Sequence, residues 1–289
     1  VSKEICNSED HFFKVRLHNI INSAEILLNE ENILSYIRQT APIGYSTVFN
    51  TLIDRSTQKE FVSRHKQIEK IRVSLNNQSD VEKSYGLRIK GSDDEILKLR
   101  YFELPADPNY GRMAWGWYAV TRFTKQIDET NDENVGIRLR VHNISLDKDI
   151  LNSLFKEPRG NKYFYGEIFI TNDKIEPDSS RQGLAAGEEA DALRKQLRKY
   201  FKDVLHQLYN RASKYKGQIK NIRDYVDKIE KSNQSVKPML AEQLQLAVDK
   251  FQKATEPSAT DEINDIIDIY KKIYNEELSQ EVTKILINY

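Results

Sequence analysis

The chain has 289 residues, enough for two packed domains of ordinary size. Lysine and arginine together number 44, as do aspartate and glutamate, so the formal charge of zero excludes a general electrostatic attraction to nucleic acid or anionic lipid. Cys6 is the only cysteine, which excludes an internal disulfide and a cysteine-based zinc site. The sequence also has no apolar run of the roughly 18 residues that a membrane helix needs, so we expect a cytoplasmic protein with no membrane partner.

The first predicted element is a strand at residues 11–20, where apolar and polar side chains alternate. Residues 23–45 then carry apolar residues at helical spacing as far as Pro42 and Gly44, which predicts two short helices and a turn. The strand has no predicted partner ahead of it. We therefore expect residues 1–45 to lead out of a preceding part of a longer protein.

Residues 46–186 predict a region of mixed helix and sheet. A polar helical piece is predicted around residues 58–75. Strands are predicted, from aromatic and β-branched content and from alternation, at residues 85–90, 96–104, 113–123, 136–144 and 162–171. Glycine, proline and aspartate separate these segments, as is typical of turns between strands.

Residues 187–289 predict an all-helical region. Apolar residues recur every three or four positions through residues 188–215, which indicates a long amphipathic helix. Further helices are predicted at residues 219–229, 239–254 and 263–287. The whole pattern predicts an α+β fold, in which a mixed α/β sandwich at residues 46–186 precedes a helical bundle or coiled-coil arm at residues 187–289. Such arms often serve as oligomerisation surfaces.

The motifs of common catalytic sites are absent from the sequence. It has no Gly-x4-Gly-Lys-Ser/Thr phosphate loop, no Gly-x-Gly-x-x-Gly pattern after a strand, no His-Glu-x-x-His pair and no Gly-x-Ser-x-Gly elbow. The five histidines lie far apart. Four acids at the start of the last predicted helix could hold a hard cation, but acids favoured by the helix dipole explain them more simply: Asp261, Glu262, Asp265 and Asp268. We predict no metal site.

Two groups of side chains on predicted strands could contact a ligand. Arg138, Arg140 and His142 share one strand face, where they could bind phosphate oxygens as an anion patch or form a solvated face paired with acids. An aromatic group could stack on a base, although anchoring of the sheet in the core is the more common role: Trp115, Trp117 and Tyr118.

Arg181 is the strongest single candidate for a functional residue. It lies with Ser180 and Gln182 in the connection between the last predicted strand and the long helix. The guanidinium group is a fixed fork of donors that matches phosphate, and a connection held by two rigid elements positions such a group with little loss of entropy. Residue type alone leaves open a turn arginine with no such role.

Four segments, taken in their order along the chain, resemble the middle segment of the GHKL ATPases, and in particular the heat shock protein 90 chaperones. They are GWYAVTRF at 116–123, GIRLRVHNI at 136–144, LFKEPRGNKYFYGEIFIT at 154–171 and DKIEPDSSRQGL at 173–184. In that family a loop of the form Leu-Pro-Leu-Asn-x-Ser-Arg precedes a helix. Ser180 and Arg181 stand at matching positions, Pro177 lies one residue closer to the arginine than the family's proline does, and Asp178 departs from the pattern.

The resemblance implies that Arg181 reaches into an ATP site, touches the γ-phosphate and stabilises the charge of phosphoryl transfer, with Gln182 beside it. It also implies that residues 1–45 are the exit strand and linker helices of an N-terminal ATP-binding domain, which would bind ATP and magnesium. This chain has none of the family's Glu-x3-Asn helix, Asp-x-Gly-x-Gly loop and glycine-rich lid. We therefore expect the chain alone to be no enzyme, and the full-length protein to be an ATPase.

Two functions of different classes follow from these patterns. The first is a non-catalytic coupling module that joins its own N-terminal ATP-binding domain to a helical region, which forms a homodimer or holds a client protein. The second is a protein-binding scaffold with no nucleotide role, in which apolar residues of the long helix face a partner helix: Leu197, Phe201, Val204 and Leu208. A nucleic-acid partner bound through Arg138 and Arg140 stays open as a third function, which the neutral charge does not favour.

Overall fold

The computed structural model describes residue 18 and residues 27–76, 79–92, 94–254 and 260–289. The described residues form eight α-helices: α1 (Glu30–Thr40), α2 (Thr47–Asp54), α3 (Lys59–Lys66), α4 (Glu188–Tyr200), α5 (His206–Lys231), α6 (Lys237–Gln252), α7 (Asp261–Glu277) and α8 (Ser279–Ile287). They also form five strands: β1 (Lys98–Glu103), β2 (Ala114–Val120), β3 (Gly136–Val141), β4 (Ile144–Ser145) and β5 (Tyr165–Ile170). The strand predicted at residues 11–20 lies outside the described residues, except for His18.

The five strands form one mixed sheet in the order β1-β2-β5-β3-β4. β2 pairs antiparallel with both β1 and β5, whereas β5 and β3 pair parallel. β4 returns antiparallel to β3 through a two-residue turn at His142 and Asn143. Both turn residues have positive φ, 48° and 60°, as tight hairpin turns that follow the strand twist require. The parallel register places Arg138 opposite Glu167.

Four of the five strands predicted between residues 85 and 171 are present, as β1, β2, β3 and β5. The exception is the segment at residues 85–90, which makes only an isolated bridge between Arg88 and Glu95. This segment still contributes buried Tyr85 and Ile89 to the core. Its alternation therefore indicates which side chains are buried without indicating a strand.

One face of the sheet is apolar and packs against α4 and α5. The strands direct Ile137, Leu139 and Ile168 toward this face, and all three are buried. The helices add a stripe of buried side chains to the same cluster: Leu193, Leu197, Phe201, Leu205 and Leu208. Burial of each such side chain stabilises the fold by roughly 2 kcal/mol. The expectation that Leu197, Phe201 and Leu208 face a partner helix is therefore wrong, and Val204 beside them is half-buried.

The long helix extends further than the sequence predicts. α4 passes through a π-helical turn at Phe201–Leu205 into α5, which continues through Gly217. The predicted break before residue 219 is wrong, because Tyr215 and Ile219 continue the buried stripe across the glycine. Burial of these side chains outweighs the roughly 1 kcal/mol that a glycine costs inside a helix. The helix predicted at residues 263–287 is two helices, α7 and α8, which meet at Leu278.

The other face of the sheet is covered by α2, α3 and the segment at residues 79–97. Phe49 of α2 and Tyr85 pack on Trp117, with ring centroids 5.1 Å and 5.2 Å away. Trp115 and Tyr118 are also buried. These aromatic side chains therefore anchor the core, which confirms the simpler of the two sequence interpretations.

The architecture, a mixed sheet with helices on both faces and a helical C-terminal region, confirms the α+β class. One apolar cluster runs from the strands into α4–α8, across Gly187. The division into domains at residues 45 and 186 stays a prediction. No helix of the described part of the chain has the length and apolar character needed to cross a bilayer.

Candidate functional site

Arg181 lies near the tip of a tight loop that Pro177 and Leu184 close with an isolated bridge. The backbone of Arg181 is held on both sides: its N–H donates to the carbonyl of Asp178 at 3.0 Å, and its carbonyl accepts from the N–H of Asp147 at 3.1 Å. Its φ is 56°, in the left-handed region that residues other than glycine rarely adopt. The loop therefore holds this position firmly in a costly backbone conformation.

The carboxylate of Asp178 organises the rest of the loop. Its Oδ1 accepts a hydrogen bond from the Ser180 hydroxyl at 2.8 Å and another from the backbone N–H of Gln182 at 3.1 Å. Aspartate commonly stabilises turns in this way. The side chain of Arg181 is left exposed and makes no hydrogen bond or ion pair with any residue that the structure describes. Its guanidinium is therefore available to a ligand.

Arg181 and Gln182 line a cleft of about 520 Å³ between this loop, β4 and the C-terminal end of α1. Besides Arg181 and Gln182, most of the residues that line it have polar side chains: Tyr36, Gln39, Thr40, Arg138, Ser145, Asp147, Lys148 and Ser180. The charge of Lys148 is paired with Glu129 at 2.7 Å. Arg181 therefore lines the same cleft as Arg138, which the sequence also singles out.

Arg138 is buried in the wall of this cleft, with a relative exposure of 3%. Its Nη2 donates to Gln39 Oε1 at 3.1 Å and to the carbonyl of Glu133, whereas its Nε has no hydrogen-bond partner. Burial lowers the pKa of Arg138, but an arginine stays charged across the physiological range. No described carboxylate forms an ion pair with it.

Arg140 has a different environment, although it lies two residues away on the same strand face. It is 1% exposed, and its Nε donates to Glu167 Oε1 at 2.5 Å. Its other nitrogens donate to the carbonyls of Asn143 and Gln39 at 2.8 Å and 3.2 Å. The expectation of an exposed basic row is corrected here, because α1 and the hairpin turn cover this face and Glu167 neutralises Arg140. His142 remains exposed.

Glu167 is the centre of a buried charged cluster. Its Oε2 accepts from Lys83 Nζ at 3.0 Å and from the hydroxyl of Tyr45. Lys83 Nζ also donates to Asn143 Oδ1 at 2.8 Å and lies 4.4 Å from the centre of the Tyr45 ring. Lys83 and Glu167 are both 0% exposed. Every charge in this cluster has an opposite charge or a hydrogen-bond partner within it.

The cluster shifts the pKa of its members in opposing ways. Burial, followed by the charge of Arg140, lowers the pKa of Lys83 to about 7, although the charge of Glu167 acts to raise it. Burial alone raises the pKa of Glu167, but the charges of Arg140 and Lys83 outweigh it and hold that pKa below its ordinary value. Burial and the charge of Glu167 raise the pKa of Tyr45 well above its ordinary value. At neutral pH the carboxylate is therefore charged and Lys83 is close to its titration point.

Sequence reasoning missed Lys83, Tyr45 and Glu167. Lys83 lies 84 residues from Glu167 and Tyr45 lies 122 residues from it, so no local spacing signals the cluster. One signal was present, because Glu167 interrupts an otherwise apolar and aromatic strand. A charged residue at such a position requires a buried partner.

Three of the four acids of the last predicted helix lie near basic residues of β1, and the fourth, Asp268, is exposed. Asp265 of α7 binds Lys98 at 2.8 Å and Arg100 at 3.0 Å on β1. Asp261 and Glu262 lie 3.9 Å from Arg100. Among the described residues, no group of histidines, cysteines and acids is arranged to hold a metal ion. These three acids attach α7 to β1, so they are not simply a solvated helix start.

No protein-family model and no curated protein matches this chain. The similarity to the GHKL ATPases rests on the segments between residues 116 and 184, and it stays a prediction. The distinguishing feature of the site is one cleft lined by two arginines that form no ion pair with a described carboxylate.

Proposed function

We propose that this chain is the coupling part of a GHKL-type ATPase similar to the heat shock protein 90 chaperones. In this proposal an N-terminal domain binds ATP and magnesium, and Arg181 contacts the terminal phosphate when the two parts close. The arginine then stabilises the charge that develops on the transferred phosphoryl group. Gln182 contacts the nucleotide beside it.

The proposal rests on one observation, which is that Arg181 has a fixed backbone and an exposed side chain. Its backbone is fixed in the left-handed region by two hydrogen bonds, while its side chain is exposed and unpaired among the described residues. Backbone strain of this kind costs about 1–3 kcal/mol and is concentrated at functional sites. A guanidinium fixed at its base and free at its tip is suited to reach a phosphate outside its own domain.

The position of the cleft supports the same proposal. α1 forms one wall of the cleft, through Tyr36, Gln39 and Thr40. In the family that the sequence resembles, the segment that corresponds to α1 leads from the ATP-binding domain to the middle domain. A phosphate presented along this segment would meet Arg181. Closure would then be transmitted through the sheet to α4–α8, which in this proposal form a homodimer or bind a client protein.

The test is ATP turnover by the natural gene product that contains this chain, measured for the wild-type protein and for Arg181→Ala. Loss of an arginine finger reduces turnover by about 10³-fold or more. We expect a loss of that order in Arg181→Ala, because the substitution removes the guanidinium from the phosphate. Loss of folding is not expected, since the exposed side chain makes no hydrogen bond or ion pair with the described residues. Arg198→Ala is the matched control, since Arg198 is exposed on α4, which packs against the opposite face of the sheet.

Equal turnover in Arg181→Ala and the wild type would contradict the proposal, as would a gene product with no ATP-binding domain. The chain alone is expected to show no micromolar affinity for ATP and magnesium in isothermal titration, because it has none of the family's nucleotide-pocket motifs. A micromolar affinity in that titration would show that the nucleotide pocket lies within this chain.

A further inference from the structure

Arg138 is a buried charge that forms no ion pair with a described carboxylate, although the charges of Glu167 and Glu133 act on it from a distance. This distinguishes it from Arg140 on the same strand, which binds Glu167 directly. Arg140 binds Glu167 at 2.5 Å, whereas Arg138 donates only to neutral oxygens of Gln39 and Glu133. A buried ion that lacks an opposite charge is costly, and proteins usually avoid that cost by pairing it. The pairing of Arg138 is therefore incomplete in the protein as described.

Arg138 lines the same cleft as Arg181. Among the other charges in the cleft wall, Lys148 pairs with Glu129 at 2.7 Å. The Asp147 carboxylate accepts the backbone N–H of Asp149 at 2.7 Å and forms no ion pair with a described residue. The cleft thus has two guanidinium groups that form no ion pair with a described carboxylate. Its volume of about 520 Å³ exceeds what a single carboxylate group requires.

We infer that Arg138 and Arg181 together bind one phosphoryl oxyanion in this cleft. A multiply charged tetrahedral anion can accept hydrogen bonds from two guanidinium groups at once, which a single carboxylate does less well. Arg138 provides a charge that is fixed in place by burial, and Arg181 provides one that is free to close over the ligand. The identification of this oxyanion with the terminal phosphate of ATP rests on the proposed function; the binding of an oxyanion by the two arginines does not.

The test is titration of the chain with sodium tripolyphosphate and with orthophosphate, followed through the ¹⁵N-edited NMR signals of the arginine Nε–H groups. We expect saturable shifts of the Arg138 and Arg181 signals, larger with tripolyphosphate. Affinity is expected to fall about tenfold in Arg138→Gln and in Arg181→Ala, which corresponds to about 1.4 kcal/mol for each. The control Arg198→Ala is expected to bind as the wild type does. Shifts spread over surface arginines, or equal affinity in all variants, would overturn the inference.

Arg138 is buried, so its substitution needs a check on folding. Arg138→Lys keeps the charge and is expected to bind more tightly than Arg138→Gln. Without phosphate, Arg138→Gln is expected to lose less stability in urea than Arg140→Gln, because it removes a charge that forms no ion pair with a described carboxylate. A greater loss in Arg138→Gln would indicate a structural role and would contradict the inference.

The two proposals can fail separately. If tripolyphosphate binds through both arginines while Arg181→Ala leaves ATP turnover unchanged, the oxyanion site stands and the coupling function fails. If no oxyanion binds to the chain, and Arg138→Gln leaves turnover unchanged while Arg181→Ala abolishes it, the coupling function stands and the two-arginine site fails.

Discussion

The two faces of the sheet are both buried, but they are buried in different ways. The face toward α4 and α5 carries apolar side chains such as Leu139 and Ile168. The face toward α2 and α3 holds Arg138, Arg140 and Glu167 among aromatic rings. The apolar face gains stability from area removed from water, whereas the charged face depends on the completeness of its pairing.

The contrast is sharpest within β3, where neighbouring residues belong to opposite faces. Leu139 packs among apolar side chains, and Arg140 is held by Glu167 on the parallel neighbour β5. Removal of one member of a complete network leaves the others uncompensated, so the charged face should be the more sensitive to single substitutions. The apolar face should respond in proportion to the volume removed.

The largest effect is expected from Glu167→Gln. This substitution leaves Arg140 and Lys83 without their shared carboxylate, which should lower the free energy of unfolding by about 3–5 kcal/mol. Urea denaturation at neutral pH measures the loss. Glu230→Gln on the exposed surface of α5 is the control and should change stability by less than about 0.5 kcal/mol. Equal stability in the two variants would contradict the expectation that the charged face is sensitive to the loss of one member of its network.

The dependence of the free energy of unfolding on pH should also differ between the two faces of the sheet. The pKa of Glu167 is lowered in the fold, so its contribution is complete above its ordinary pKa and is lost as the pH falls through the lowered value. The wild type should therefore lose this contribution in acid, whereas Glu167→Gln has none to lose. Leu139→Ala should lose about 2–5 kcal/mol through a cavity, and this loss should not vary with pH.

Lys83→Met is expected to change how the free energy of unfolding depends on pH. The pKa of Lys83 falls from 10.5 to about 7 on folding, so between these values the unfolded chain binds a proton that the folded chain does not. The free energy of unfolding of the wild type, relative to Lys83→Met, should rise by at most about 1.4 kcal/mol per pH unit in this range. Below pH 7 the difference should be constant. A difference that stays constant as pH rises from 7 to 10 would show that Lys83 keeps its proton in the fold over this range.

The sequence predicted the strands better than the surroundings of the strands. The alternation at residues 136–144 correctly separates Leu139 from Arg138 and Arg140. It suggests a solvated polar face because period-two alternation is typical of sheets covered on one side. Here α1 and the helices beside it cover the polar face as well. Which layer covers a face depends on contacts between distant segments, and these leave no local pattern.

Arg181 could be singled out from the sequence, whereas the buried charged cluster around Glu167 could not. Arg181 lies in a short connection whose residues, including Asp178 and Ser180, organise one another locally. Lys83 and Glu167 meet only through the tertiary fold. Gly217 is a further example, because a glycine indicates a helix end locally while the buried stripe around it favours continuation.

The left-handed φ of Arg181 has a consequence for selection on this protein. Glycine is the residue that adopts this conformation without steric cost, and relief of the cost is worth about 1–2 kcal/mol. Arg181→Gly should therefore raise the midpoint of thermal denaturation slightly while abolishing the proposed coupling. A laboratory screen for heat resistance alone would enrich glycine at this position, whereas a screen that also demands activity would restore arginine.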